Sequence, residues 1–169
     1  MLVKGQIPTD EPIVSIGLIL PEDVQTSVII KDDDALEENK ILHIKAENKQ
    51  LLINEIPKEK IFITKSPLTL NPISAGRGFH WEKQISIKVE GTIEIKNQDG
   101  FLFVINHISL EKYLASVAVS EMSSKCPDTF LQAQTITARS WILAAAENKH
   151  SDLGIDARAQ GDALDEQRP

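Results

Sequence analysis

Two hydrophobic periods divide this chain. From Pro12 to about His107, apolar residues recur at every second position or in short β-branched runs, the spacing of strands with a buried face. Residues 14–20 (VSIGLIL) and 26–31 (TSVIIK) are such runs, and the acidic turn Asp32-Asp33-Asp34 follows the second. Residues 41–46 and 51–56 alternate on either side of Asn48-Lys49-Gln50, which suits a hairpin loop. Residues 60–65 form another run. Pro67 and Pro72 then predict a linker or a sheet edge, because proline cannot donate to a strand ladder. Ile85, Ile87 and Val89 alternate with polar neighbours, and residues 92–96 do the same through Ile93 and Ile95. Asn97-Gln98-Asp99-Gly100 predicts a tight turn with glycine where φ is positive. Residues 101–105 (FLFVI), apolar on both faces, predict an interior strand.

The period changes at Ser109, a candidate N-cap, with Glu111 in the following turn where it favours the helix dipole. With Leu110 at zero on a wheel advancing about 100° per residue, Leu114, Val117 and Glu121 all fall within about 40° of it. This helix runs to residue 121 or 122 and breaks at Ser123-Ser124. A second helix begins at Cys126-Pro127-Asp128, with Asp128 as N-cap. From residue 129 to 146 its one charged side chain is Arg139. Phe130, Gln134, Thr137 and Trp141 share one face, while Leu131, Ile136, Ile142 and Leu143 cover much of the rest. A helix apolar nearly all round is expected to be buried. Residues 151–169 lose all periodicity and read as a disordered tail. The expected fold class is α+β: an N-terminal β-rich region followed by a C-terminal helical pair. The division expected is residues 1–73 as the β-rich region, 74–156 as a second domain and 157–169 as the tail.

Composition narrows the function classes. At 169 residues with 41% hydrophobic and 25% charged side chains, the chain can build a sizeable core. Its net charge of −7 argues against a nucleic-acid partner bound through a broad basic face. The single cysteine, Cys126, rules out an internal disulfide framework and a cysteine-based zinc finger. No stretch is apolar enough for a transmembrane segment, and the N-terminus lacks the pattern of a secretory signal peptide. That leaves a cytoplasmic location or a leader not included in this chain.

Glu121 is the most informative residue, since a carboxylate on an apolar helical stripe must be neutral, be paired, or face a cleft. A carboxylic acid kept neutral is what general-acid cleavage of a glycosidic bond requires. The plainer reading is a structural ion pair with Arg139. Arg139 in turn needs a partner, whether Glu121, Glu111 or a substrate. Gln134 and Thr137 either bond to backbone or line a sugar-binding groove beside Trp141. His43, His80, His107 and His150 show no ligand spacing, and no metal or cofactor is expected. Cys126 at a helix start reads as packing more readily than as a nucleophile. The loop at residues 74–81 (SAGRGFHW) is no phosphate loop. It is either a surface turn anchored by Trp81 or a wall of a binding groove.

An ordered series of motifs carries a family resemblance. Leu110-Glu111-x-Tyr113-Leu114, Val117, Ser120-Glu121-Met122, Leu131-Gln132-Ala133-Gln134 and Ala138-Arg139-Ser140-Trp141 resemble the signature of the SpoIID/LytB domain. The hairpin at residues 91–106 resembles the entry to that domain, and the resemblance covers about residues 76–156. It implies a bacterial cell-envelope protein of sporulation whose partners are peptidoglycan glycan strands. It further implies lytic-transglycosylase chemistry, with Glu121 as the catalytic acid/base and Gln134 and Arg139 as candidate substrate-binding residues. One carboxyl group then suffices, because the sugar's own C6 hydroxyl closes an anhydro ring. Other relatives act as enhancers of a cell-wall amidase, so a non-catalytic binding module is the alternative, and an inactive fragment a third. Thr135 and Thr137 stand where the family has small apolar residues. After Asp156 the chain departs from the family pattern, which leads us to expect an incomplete or frame-shifted domain and puts activity in question. Zinc-binding relatives carry their ligands in that region, with His150 at its edge.

Overall fold

The computed structural model describes residues 9–32, 41–64, 67–76, 78–123 and 125–148. The predicted tail and His150 lie outside them. The fold is α+β, strand-rich through the N-terminal part with two helices at the C-terminal end. Among the described residues ten strands come first: β1 (Ile13–Ile19), β2 (Ser27–Asp32), β3 (Ile41–Glu47), β4 (Gln50–Ile53), β5 (Ile56–Lys58), β6 (Lys60–Ile63), β7 (Leu68–Ala75), β8 (Lys83–Val89), β9 (Thr92–Gln98) and β10 (Phe101–Ser109). The helices are α1 (Leu110–Met122) and α2 (Asp128–Asn148). The strands form a four-stranded sheet of order β1-β10-β9-β6 and a six-stranded sheet of order β5-β4-β3-β2-β7-β8.

The chain divides into two compact units. One comprises residues 17–107, the other residues 1–16 with 108–169, so the boundary falls inside β1 and β10. In the first unit, the alternating residues of both sheets meet in a common core. Ile93, Ile95, Leu102 and Val104 come from one sheet, and Val28, Ile30, Ile44, Leu51, Leu68 and Leu70 from the other. All ten are buried. The side chain of Asn97 on β9 donates to the Gln50 carbonyl on β4 at 2.9 Å, tying one sheet to the other at its rim.

Local backbone chemistry sets the hairpins. Asn48–Lys49, Asn54–Glu55 and Asp99–Gly100 each have positive φ at both central positions, as tight two-residue turns require. The middle pair splits the strand expected over residues 51–56 into β4 and β5. Asn54 makes that turn workable, because its Oδ1 accepts from the His43 N–H at 2.8 Å and its N–H donates to the His43 carbonyl at 2.8 Å. Pro67 lies in the connection between β6 and β7, as a linker proline would, but Pro72 acts differently from expectation. Pro72 lies within β7, an interior strand between β2 and β8, not in a linker or at an edge. A register shift between Leu70 and Ile73 accommodates it, because a bulge leaves one residue out of the ladder.

Trp81, after β7, lies flat against Gly76 instead of entering the buried core. A Cβ built on Gly76 would come within 2.2 Å of the indole, and φ there is +72°, so both space and backbone require glycine. Phe79 stacks on the same indole, with ring centres 5.5 Å apart.

In the second unit, α1 begins where Ser109 was expected to cap it, but the serine side chain makes no capping bond. The first turn is satisfied from the N-terminal segment instead. Leu110 N–H donates to the Pro12 carbonyl at 2.9 Å, and Glu111 N–H to Glu11 Oε1 at 3.0 Å. The α2 helix starts one residue earlier than expected: Asp128 is its first residue, and the Pro127 carbonyl accepts from Phe130 and Leu131.

Candidate active site on the helical pair

Leu110, Leu114 and Ala118 give α1 a buried stripe at helical spacing. Glu121 occupies the next position along it but is only half-buried. The wheel angle was right; the axial position decided the outcome, because the fully buried part of α1 ends a turn earlier. A carboxylate at the helix end meets the second helix and solvent rather than hydrocarbon.

What meets it is Gln134. From α2, the Gln134 carboxamide donates through Nε2 to Glu121 Oε2. The neighbouring hydroxyls on α2 turn inward to their own helix: Thr135 to the Leu131 carbonyl at 2.7 Å and Thr137 to the Ala133 carbonyl at 2.9 Å. Ser140 does the same to the Ile136 carbonyl at 2.9 Å. Thr137 thus makes the backbone bond considered above, whereas Gln134 does not.

Arg139 takes a different partner. Its Nε donates to Glu111 Oε1 at 2.9 Å and its Nη2 to Glu111 Oε2 at 2.5 Å, a two-pronged guanidinium–carboxylate pair. The bonds from Arg139 hold the Glu111 carboxyl below its ordinary value, outweighing the opposing effect of burial. Among its candidate partners, Arg139 is therefore given to Glu111, roughly 140° round α2 from Gln134. The structural ion pair considered for Glu121 does not form.

Tyr113 is the site residue that sequence reasoning passed over. Burial raises its hydroxyl above the ordinary value, and the Glu121 carboxylate raises it further. The phenol is thereby kept protonated close to the carboxylate. The signal was available in the spacing, since Tyr113, Val117 and Glu121 follow one another at intervals of four along one side of α1.

Contrary to the expectation of a buried second helix, α2 leaves much of its apolar surface in water. Phe130, Ile136 and Trp141 are 56%, 60% and 38% exposed, and Ile142 is buried. Periodicity cannot tell how many neighbours a helix has, and α1 covers one side of α2. Cys126 is half-buried with a free thiol. Among the described residues no cluster of three or more His, Cys, Asp or Glu side chains is arranged to hold a metal. Nor is any helix among them long and apolar enough to cross a membrane.

A helical hairpin that brings one carboxylate against one carboxamide, with a half-buried tyrosine beside them, defines a site suited to acid–base chemistry or polar ligand binding. Residues 98–167, which include both helices, match the family model described as SpoIID, stage II sporulation protein. This match supports the SpoIID resemblance over that segment and suggests a cell-wall-related role and association with the cell envelope. No curated protein and no solved structure matches the chain.

Proposed function

We propose that the protein binds peptidoglycan glycan strands and cleaves them by a lytic-transglycosylase-type reaction, with Glu121 as general acid and base. The observation that carries this reading is the contact between Glu121 and Gln134. Gln134 engages one carboxylate oxygen, fixes the group in orientation and leaves the other oxygen available to substrate. A carboxamide suits such a role because it serves both protonation states. Its NH₂ donates to a carboxylate, and its carbonyl, after a flip, accepts from a carboxylic acid.

In this scheme protonated Glu121 gives its proton to the glycosidic oxygen as the bond to the anomeric carbon breaks. The resulting carboxylate takes a proton from the C6 hydroxyl of the same sugar, whose oxygen bonds to the anomeric carbon to close an anhydro ring. The proton balance returns Glu121 to its starting form, with no water consumed and no second carboxylate needed. Arg139 acts at one remove, by holding α2 to α1 through Glu111. Tyr113 presents a neutral hydroxyl beside the carboxylate.

The partial exposure of Glu121 favours a second reading, a non-catalytic wall-binding or amidase-enhancing module, because general-acid catalysis gains most in a desolvated cleft. Incubating the chain and Glu121→Gln with peptide-free glycan strands separates the two. The catalytic reading expects anhydro-muramyl ends by mass spectrometry from the parent, reduced about 10²–10⁴-fold in the variant. Binding by both without any anhydro product would refute catalysis and leave the module.

A further inference from the structure

We infer that Phe130 and Trp141 are two sugar-stacking positions on either side of the Glu121–Gln134 pair, so that an extended glycan strand lies along α2. This rests on the glycan-binding reading above.

Both aromatic rings are on the face of α2 that carries Gln134, and both are open to solvent, at 56% and 38% exposure. Along the axis Phe130 precedes Gln134 by about 6 Å and Trp141 follows it by about 10 Å, so the rings stand roughly 16 Å apart. An exposed aromatic face is negative at its centre and attracts the C–H groups of a pyranose ring, while amide and carboxyl groups hydrogen-bond the equatorial substituents. The order aromatic, carboxamide with carboxylate, aromatic is the order in which a strand with its scissile linkage at Glu121 would present one sugar face on either side.

Another helix is a poorer occupant. A docking helix needs contiguous aliphatic positions, and the other exposed apolar residues are not on this stripe. Ile136 lies roughly 120° round α2 from it, and Val119 about 160° round α1 from Glu121. Between the two rings the stripe holds Gln134 and Thr137, polar groups that a protein partner would have to desolvate.

The test is binding of peptide-free glycan strands and of a β-1,4-linked N-acetylglucosamine disaccharide to the full chain and its variants, read by calorimetry. Phe130→Ala and Trp141→Ala should each weaken strand binding roughly tenfold. Each should change disaccharide binding far less, since a disaccharide cannot reach both rings. Trp141→Tyr should restore most of the loss. Ile136→Ala, equally exposed but off the stripe, should bind as the parent does, which controls for general damage to the helix. Unchanged strand affinity in both ring variants would overturn the two-platform arrangement while leaving the glycan reading intact. An equal loss in Ile136→Ala would overturn it too. A parent chain that is folded but binds no strand would overturn the glycan reading and this inference with it.

Discussion

If the pair between Arg139 and Glu111 is what holds α2 in place beside α1, it should appear as a coupling energy that depends on pH. The perturbation is a double-mutant cycle of Glu111→Ala, Arg139→Ala and the double variant. The side chains of Arg139 and Glu111 are 33% and 52% exposed, so solvent screens much of their attraction. Exposed ion pairs contribute about 0.2–1 kcal/mol, and the two-pronged geometry, at 2.9 and 2.5 Å, places this one near the upper end. Each single variant should therefore lower the melting temperature by about 2–4 °C, with little further loss in the double variant.

The pH dependence has a definite sign. The Glu111 carboxyl is held below its ordinary value of 4.5, chiefly by the bonds from Arg139, so the folded chain takes up this proton less readily than the unfolded chain. The stabilisation is complete above pH 4.5 and is lost as pH falls through the lower, folded value. Urea denaturation at neutral pH and at a pH well below 4.5, in low salt, measures both arms. Arg139→Lys, which keeps the charge without the fork, should recover part of the coupling. Coupling indistinguishable from zero at neutral pH, or the same coupling in acid, would refute the reasoning.

Leu114 is fully buried on α1, so Leu114→Ala should cost about 2–5 kcal/mol, measurable by chemical denaturation. Tyr113 is the one tyrosine in the chain, so the absorbance of tyrosinate reports it alone. Its titration should lie above the ordinary value of 10.0 and move part of the way back in Glu121→Gln, because the carboxylate is the second cause of its shift; no movement would show that the two groups are not close. Gly76→Ala forces a Cβ towards the Trp81 ring at a backbone φ of +72°, and should destabilise by roughly 1–3 kcal/mol with a change in tryptophan fluorescence.

The strands and helices were legible because their signals are local. Period-two alternation through Ile93 and Ile95 becomes the buried face of β9, the run at residues 101–105 becomes β10 inside its sheet, and the Asp99–Gly100 turn between them follows from glycine at positive φ. What was not legible depends on partners far along the chain. Pro72 read as an edge signal because the ladder rule is local, yet β2 and β8 flank it and a bulge absorbs the missing donor. Ser109 read as a cap, but Glu11, a hundred residues away, takes one of the N–H groups that a cap would have satisfied. The exposed flank of α2 could not be foreseen either, because hydrophobicity states what a face prefers and not what is there to cover it.

The same distinction explains the site. Helical angle identified Glu121 and grouped Gln134 with Phe130 and Trp141, since angle is a property of one helix. Which carboxylate Arg139 would choose is a property of two helices. In an antiparallel hairpin the end of α1 faces the start of α2. Glu121, near the last residue of α1, therefore faces Gln134, six residues into α2, while Glu111 in the first turn of α1 is left for Arg139 further on. That pairing keeps the permanent positive charge away from Glu121. In the proposed reaction a guanidinium at this position would favour the carboxylate alone, whereas a carboxamide can donate to a carboxylate or accept from a carboxylic acid. For the reaction proposed above, the separation of the two pairs along the hairpin is therefore the feature on which acid–base function at Glu121 would depend. Exchanging it by Gln134→Arg should abolish cleavage while leaving the fold intact by circular dichroism, and retained cleavage would sink the argument.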